Sequence, residues 1–320
     1  MGAYVIRRLL YGVGVVLGVL FLLFILFFTV TKPDDIARRA LGEKAPPEVI
    51  EQWKVNHGYD RDLWPWQDWN DNLLFDHYRR MLTFDFGLSD ADDSPIMDRI
   101  KAGMGPSLAL TVPLLVFGLL LAIPLSLLVA FFRETYIDRM GVFLCVLAMS
   151  VSMLLYIIGA QFLIGKILRW YPISGFDPSL LMLPRFLAMP IMVGLIGGVG
   201  GDVRFYRTVF LEESSRDFVR TARAKGASES RIMTRHILRN ALIPILTNVV
   251  LAIPFLFTGA LLLEAFFGIP GLGSITVDAI AANDFSTLRT MVFIGSLLLI
   301  VGQIVTDLCY GLVDPRVRLE

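Results

Sequence analysis

Six stretches of this 320-residue chain are apolar for so long that water is the wrong solvent for them. They cover roughly 9–30, 107–131, 141–165, 186–203, 243–263 and 289–310. An α-helix needs ~17–25 residues to cross a ~30 Å hydrocarbon core at ~1.5 Å rise per residue, and each stretch has about that many. In lipid every backbone N–H and C=O must find its partner inside the chain. None of the six alternates in polarity as a lipid-facing barrel strand does, so helices are expected. A mean hydropathy of +0.65 with 55% apolar residues sets the chain apart from ordinary soluble enzymes. The fourth stretch is the most interrupted, by Pro190 and five glycines. The predicted fold class is therefore an all-α polytopic membrane protein with six transmembrane helices. Arg7 and Arg8 ahead of the first stretch give it the look of a secretion signal. The apolar run nevertheless continues for about twenty residues with no small-x-small site to close it, so a retained helix is expected.

The formal net charge is zero, but its distribution is uneven. Arg7 and Arg8 precede the first span, Arg133 and Arg139 lie between the second and third, nine Arg or Lys lie between the fourth and fifth, and Arg316 and Arg318 follow the sixth. With six spans all of these fall on one side, which by the positive-inside rule is the cytoplasm, and both termini lie there too. The opposite side receives 31–105, whose 32–105 portion holds ten basic and fifteen acidic residues. Cys145 and Cys309 sit inside spans, where small apolar packing is expected rather than a disulfide.

The external segment contains WKVNHGYDRDLWPWQDWN, with Trp53, Trp64, Trp66 and Trp69. Two readings stay open for these rings. They form an interface with a soluble partner, or they pack a small subdomain and anchor it at the headgroup level. His57 and His77 with Asp60 and Asp76 match no metal-ligand spacing, so no metal site is expected.

The charged stretch Arg204–Arg239 is the other distinctive feature. Ser214–Arg223 and Ser228–Arg239 can each form a helix, joined around Lys225–Gly226–Ala227. Gly226 suits a left-handed helix end and Ser228 an N-cap. Phe218, Val219 and Ala222 share one face of the first helix, while Arg216, Arg220 and Arg223 lie on others. Ile232, Met233, His236 and Ile237 form a stripe on the second. Such a helix inserts into a groove on a partner or lies in the headgroup region; composition does not choose between them. GGVGG at 197–201 lacks the following Lys-Ser or Lys-Thr of a phosphate loop, so any ATP used must be hydrolysed by another polypeptide. Gly194 with Gly198, Gly197 with Gly201, and Gly14 with Gly18 are candidate small-residue packing pairs.

RTARAKG at 220–226 and RHILRNALIP at 235–244 resemble the cytoplasmic coupling motif of a known group. EAFFGIPGLG at 264–273, DAI at 278–280, DLCYGLVDPRVR at 307–318, YVIRRLL at 4–10, LG at 41–42, GYDRDL at 58–63 and DFGLS at 85–89 also fit. In order, these span essentially the full chain. The chain resembles the inner-membrane permease subunits of ATP-driven dipeptide/oligopeptide/nickel importers of the ABC transporter family, in particular the first, B-type, subunit. Two departures stand out. Arg220, Thr221 and Ala222 occupy the place of the general importer's Glu-Ala-Ala, a variation usual in the peptide group. KPDDIA at 32–37 replaces a Pro-Gly-Asp-Pro turn.

The resemblance implies a type I importer fold, with an N-terminal segment and first helix at 1–30, an external region at 31–105, a permease core at 106–311 and a cytoplasmic tail at 312–320. Implied partners are a second, homologous permease, two cytoplasmic ATPases that use ATP and Mg, and an external solute-binding protein in a bacterial inner membrane. Membrane lipid surrounds the spans and no nucleic acid is involved. The chain binds no cofactor or metal and has no catalytic residue. The coupling segment, within 204–240, is centred on Arg220, Thr221, Ala222, Lys225, Gly226 and Ala227. Glu264, Phe267, Pro270, Gly271 and Gly273 form a gate or permease contact, or simply stabilise the fold. Trp64, Trp66 and Trp69 are the candidate receptor contacts. Asp202 at the end of the fourth span suits an interfacial position, and Asp307 pairs with a basic residue or helix end, or else meets substrate. Delivered peptides are the implied cargo, with nickel, glutathione-like or glycoside substrates as same-family alternatives. An ion-coupled secondary transporter is the alternative from another class, although no internal repeat is evident.

Overall fold

The apolar stretches become helices longer than hydropathy marks, because a helix does not stop at the lipid boundary when the polar residues beyond it still favour helical backbone. The computed structural model describes residues 2–42, 44–64, 72–179 and 181–313. Helix α1 (Gly2–Phe24) runs into a π-helical turn at Ile25–Val30. Three short helices follow: α2 (Pro33–Leu41), α3 (Pro47–His57) and α4 (Leu73–Leu82). Then come α5 (Ile96–Phe131), α6 (Tyr136–Ser150) and α7 (Met153–Ala160), the last extended by a π-helical stretch at Gln161–Ile167. Next are α8 (Leu183–Ser214), α9 (Asp217–Ala224), the single turn α10 (Glu229–Arg231) and, beyond a π-helical stretch at Ile232–Ile237, α11 (Leu238–Thr258). The chain continues through α12 (Leu261–Phe267), α13 (Leu272–Ala282) and α14 (Phe285–Val313).

Among the described residues five continuous helices are long and apolar enough to cross a membrane: 6–30, 96–131, 183–214, 229–256 and 285–306. These correspond to five of the six expected stretches. The third, 141–165, is broken: α6 and α7 meet at 85° across Val151 and Ser152. Ser152 is extended and its hydroxyl accepts the Leu155 N–H at 3.4 Å, so it starts a new helix inside an apolar run. The pair α12 and α13 is also sharply bent, which makes seven candidate spans if each bent pair counts as one. The fourth expected stretch extends well past 203. Pro190 lies inside α8 without ending it, as spanning helices allow.

The chain divides into two compact units. The first comprises 1–107, 253–261 and 270–320. Its core joins Phe24 and Phe28 to Tyr59, Leu73, Met81 and Phe293. The segment between α1 and α5 is locked to the start of α14 by buried polar bonds. Asp90 accepts the Ser286 N–H and hydroxyl, both at 2.8 Å, while Asp284 accepts the Ser89 hydroxyl at 2.6 Å and the Thr287 N–H at 3.0 Å. Burial pushes the Asp90 carboxyl above its usual range, against the bonds from Ser286. Burial likewise pushes Tyr59 up to about 12, so its hydroxyl stays protonated beside Ser286 Oγ at 3.0 Å.

The second unit comprises 108–252 and 262–269. Here α6 lies on α8, held at one end by Arg207, whose Nε and Nη2 donate to Asp138 Oδ1 and Oδ2 at 2.8 Å each. Along the same seam a Cβ on Gly200 would stand 2.8 Å from the Cys145 carbonyl oxygen, and one on Gly197 2.8 Å from Met153 Sδ. A Cβ on Gly194 would meet Leu114 Cδ1 at 2.8 Å. The close-packing glycines of α8 are thus 194, 197 and 200. Gly198, Gly201, Gly14 and Gly18 have nothing within 4 Å of a Cβ, so the expected pairs are corrected to this three-residue spacing.

Candidate coupling segment and the Glu264–Gly273 motif

The charged stretch starts later than its sequence suggests. Because α8 continues to Ser214, the first short helix is α9, beginning at Asp217 rather than Ser214. Its apolar face is used inside the unit: Val219 and Ala222 are buried in a cluster with Tyr206, Phe210, Ile232 and Ile237, and Phe218 packs against it. That face is therefore not free to enter a partner's groove. The surface left outside is polar. Arg220, Thr221, Arg223, Ala224 and Lys225 are exposed, and Ala227 is half-buried.

Gly226 ends the helix at φ +80, in the left-handed region, where its N–H reaches the Arg223 carbonyl at 3.0 Å. Ala227 donates back to the Ala222 carbonyl at 3.1 Å. Ser228 occupies the N-cap position, and its carbonyl accepts the Ile232 N–H at 2.9 Å, but its side chain makes no cap bond. The turn is instead fastened by Arg223, whose Nε and Nη2 donate to Glu229 Oε1 and Oε2 at 2.6 and 3.0 Å. Sequence reading missed this pairing. A six-residue separation across a glycine turn has no helical periodicity to announce it. In the following segment Ile232 and Ile237 are buried while Met233 and His236 are half-buried, so the expected stripe is present, carried on π-helical backbone.

The second motif straddles the boundary between the units, and its parts are placed separately. In the second unit Glu264 and Phe267 are buried on α12. Gly268 turns the chain at φ +65, and Ile269 donates back to the Glu264 carbonyl at 2.9 Å. Two neighbours hold this turn. Gly175 N–H donates to the Phe267 carbonyl at 2.8 Å, and Gln161 Nε2 donates to the Phe266 carbonyl at 2.8 Å and the Ile173 carbonyl at 3.1 Å. In the first unit Pro270 is exposed, whereas Gly271 and Gly273 are buried at the start of α13. A Cβ on Gly103 would stand 3.2 Å from the Gly271 carbonyl carbon, and Ser107 Oγ accepts the Leu272 N–H at 2.7 Å. Gly103, Ser107, Gln161 and Gly175 are the supporting residues that no local pattern revealed.

Trp64 is half-buried with its ring edge-on to Phe24 at 5.5 Å, and Trp53 stacks on His57 at 4.0 Å. Trp66 and Trp69 lie outside the described residues. Buried His77 donates from Nε2 to the Leu20 carbonyl at 3.1 Å. Among the described residues no group of three His, Cys, Asp or Glu is arranged to hold a metal ion.

Apolar spans carrying an exposed basic helix whose inner face is fixed to two long helices are the arrangement expected of a membrane component of a transporter. Residues 122–319 match the family described as binding-protein-dependent transport system inner membrane component, and the chain belongs to that family. It is similar to the glutathione transport system permease protein GsiC of Salmonella typhimurium, 30% identical over 318 residues that cover 99% of each chain. The GsiC protein of Shigella flexneri is 31% identical over 321 residues, again 99% of both chains. A peptide transport system permease protein of Brucella abortus is 30% identical over 328 residues, covering all of both. The chain is thus a multi-pass permease subunit of an ABC importer, and transport rather than catalysis is its role. Membership implies the architecture of such importers, in which the membrane component works with other subunits.

Proposed function

We propose that this chain is one of two membrane halves of an ATP-driven importer of small peptides, glutathione-like tripeptides included, in a bacterial inner membrane. The substrate class rests on the names of the relatives, which are permeases for glutathione and for peptides. In this reading the chain has six spans with both termini in the cytoplasm. Residues 31–105 lie outside and 204–240 inside. A second permease completes the pathway, two ATPases supply the motor and an external binding protein delivers cargo. Arg220, Thr221, Lys225 and Gly226 form the surface that an ATPase grips, with Ala222 and Ala227 behind it. Glu264, Phe267, Pro270, Gly271 and Gly273 shape the external end of the pathway.

The observation that carries this reading is the division of labour on α9: an exposed basic face outside, and Val219 and Ala222 locked against α8 and the segment leading into α11 inside. A displacement applied to the outer face is thereby delivered to two long helices, which is what switching between two packings requires. Trp64 is best read as internal packing against Phe24 rather than as a receptor contact.

Gly226 gives the cleanest test, because a Cβ there meets nothing within 4 Å and the only penalty is its φ of +80. Gly226→Val is expected to leave insertion intact and abolish ATP-linked peptide uptake in proteoliposomes of the assembled importer, since a left-handed β-branched residue costs about 1–2 kcal/mol. Gly226→Asn, which tolerates that region, is expected to retain most uptake. Wild-type coupling by the valine variant would reject the assignment. Uptake by the isolated chain driven by an ion gradient alone would reject the importer reading as a whole.

A further inference from the structure

The loop between the Gln161–Ile167 stretch and α8 borders an open cavity that the transport reading does not use. A cavity of about 320 Å³ is lined by Gly165, Arg169, Tyr171, Ile173, Arg185 and Phe186, among others. Its walls depend on two close approaches. A Cβ on Gly165 would stand 2.8 Å from Ile173 Cγ1, and one on Gly175 3.1 Å from Phe186 Cε1. Arg169 itself holds φ +56, a backbone state a glycine adopts without strain and an arginine does not. Around it Leu168 and Trp170 donate back to the Leu163 and Ile164 carbonyls at 3.0 and 3.2 Å.

Among the described residues neither Arg169 nor Arg185, both exposed, makes an ion pair, so the lining includes two arginines and no carboxylate. The loop's own acid, Asp177, lies outside the lining and accepts the Ser179 N–H at 2.9 Å. Beside the cavity Trp170, Phe162, Leu163 and Ile167 are exposed. Exposed apolar side chains ending in a Trp-Tyr pair are the signature of the headgroup boundary of a bilayer, and a guanidinium fork matches a phosphate's oxygens. We infer that this cavity receives the phosphate headgroup of an anionic phospholipid. Arg169 and Arg185 hold the phosphate, and the acyl chains run along Phe162, Leu163 and Ile167.

The test is native mass spectrometry of the assembled importer titrated with phosphatidylglycerol. Arg169→Gln and Arg185→Gln are each expected to weaken retention of the bound lipid about fivefold, the usual contribution of one basic residue at an anionic surface. Lys44→Gln, remote in sequence and exposed, is expected to leave it unchanged. Arg185 sits on ordinary helical backbone, so its variant carries the test if Arg169→Gln fails to assemble. Millimolar inorganic phosphate or a free peptide is expected not to displace the lipid. Wild-type retention by the Arg185 variant would overturn the proposal, as would displacement by phosphate or peptide, which would mark a site for soluble anions.

Discussion

His77 is a histidine that the folded chain keeps uncharged. Burial, reinforced by the nearby Arg289 guanidinium, lowers its pKa to about 3, while its Nε2–H remains bonded to the Leu20 carbonyl. A pKa held below its unfolded value stabilises the fold above pH ~6.5, and that stabilisation is lost as pH falls from there toward 3. Between pH 7 and 5 the loss amounts to about 2 kcal/mol. Amide hydrogen exchange across α4 in the assembled importer, corrected for intrinsic rates, is expected to show opening that much easier at pH 5. In His77→Gln, which retains a donor toward Leu20, the difference between the two pH values is expected to vanish. Equal protection of the wild type at both would mean that His77 is charged or exposed in the assembled protein. Gly226 makes a complementary point: its left-handed φ is legible from residue type and place, because only a few residues close a helix that way.

At the scale of elements, the seam between α6 and α8 is set by glycine and one ion pair. A Cβ on Gly200 would face the backbone oxygen of Cys145 at 2.8 Å, which cannot move without shifting α6, whereas Gly198 faces open space. Gly200→Ala is expected to lower the thermal midpoint of the purified importer by several degrees, and Gly198→Ala to leave it unchanged or raise it slightly through helix propensity. Equal midpoints would show that the helices separate at no cost. Five spans were legible in the sequence because hydropathy over about twenty residues survives any tertiary arrangement. The break in the third was not, since VS at 151–152 contains neither Pro nor Gly and lies inside an apolar window. The faces of α9 were readable from helical spacing, but their use was not. Periodicity says that Val219 and Ala222 share a side, and only the arrangement of α8 and Ile232 decides that the side is turned inward. Ties such as Arg223 to Glu229, Arg207 to Asp138 and Ser107 to Leu272 join positions with no common period, so no pattern along the chain announces them.

For the whole molecule, the bent pair α6–α7 decides which side of the membrane the exposed basic face of α9 occupies. Between Asp92 and α9 the chain passes through α5, the bent pair and α8. If the bent pair crosses the bilayer there are three crossings, and positions 92 and 220 lie on opposite sides. If it dips in and returns there are two, and they lie on the same side. Asp92 and Arg220 are both exposed, with side-chain exposures of 57% and 78%, so cysteines placed there report sidedness directly. In a background with Cys145→Ala and Cys309→Ala, a membrane-impermeant maleimide applied to intact spheroplasts is expected to label Asp92→Cys and not Arg220→Cys, the latter only after lysis. Labelling of both from outside would make the bent pair re-entrant and detach α9 from any cytoplasmic motor. Labelling of Arg220→Cys alone would invert the protein, against the nine basic residues that surround α9 and the membrane potential they answer to.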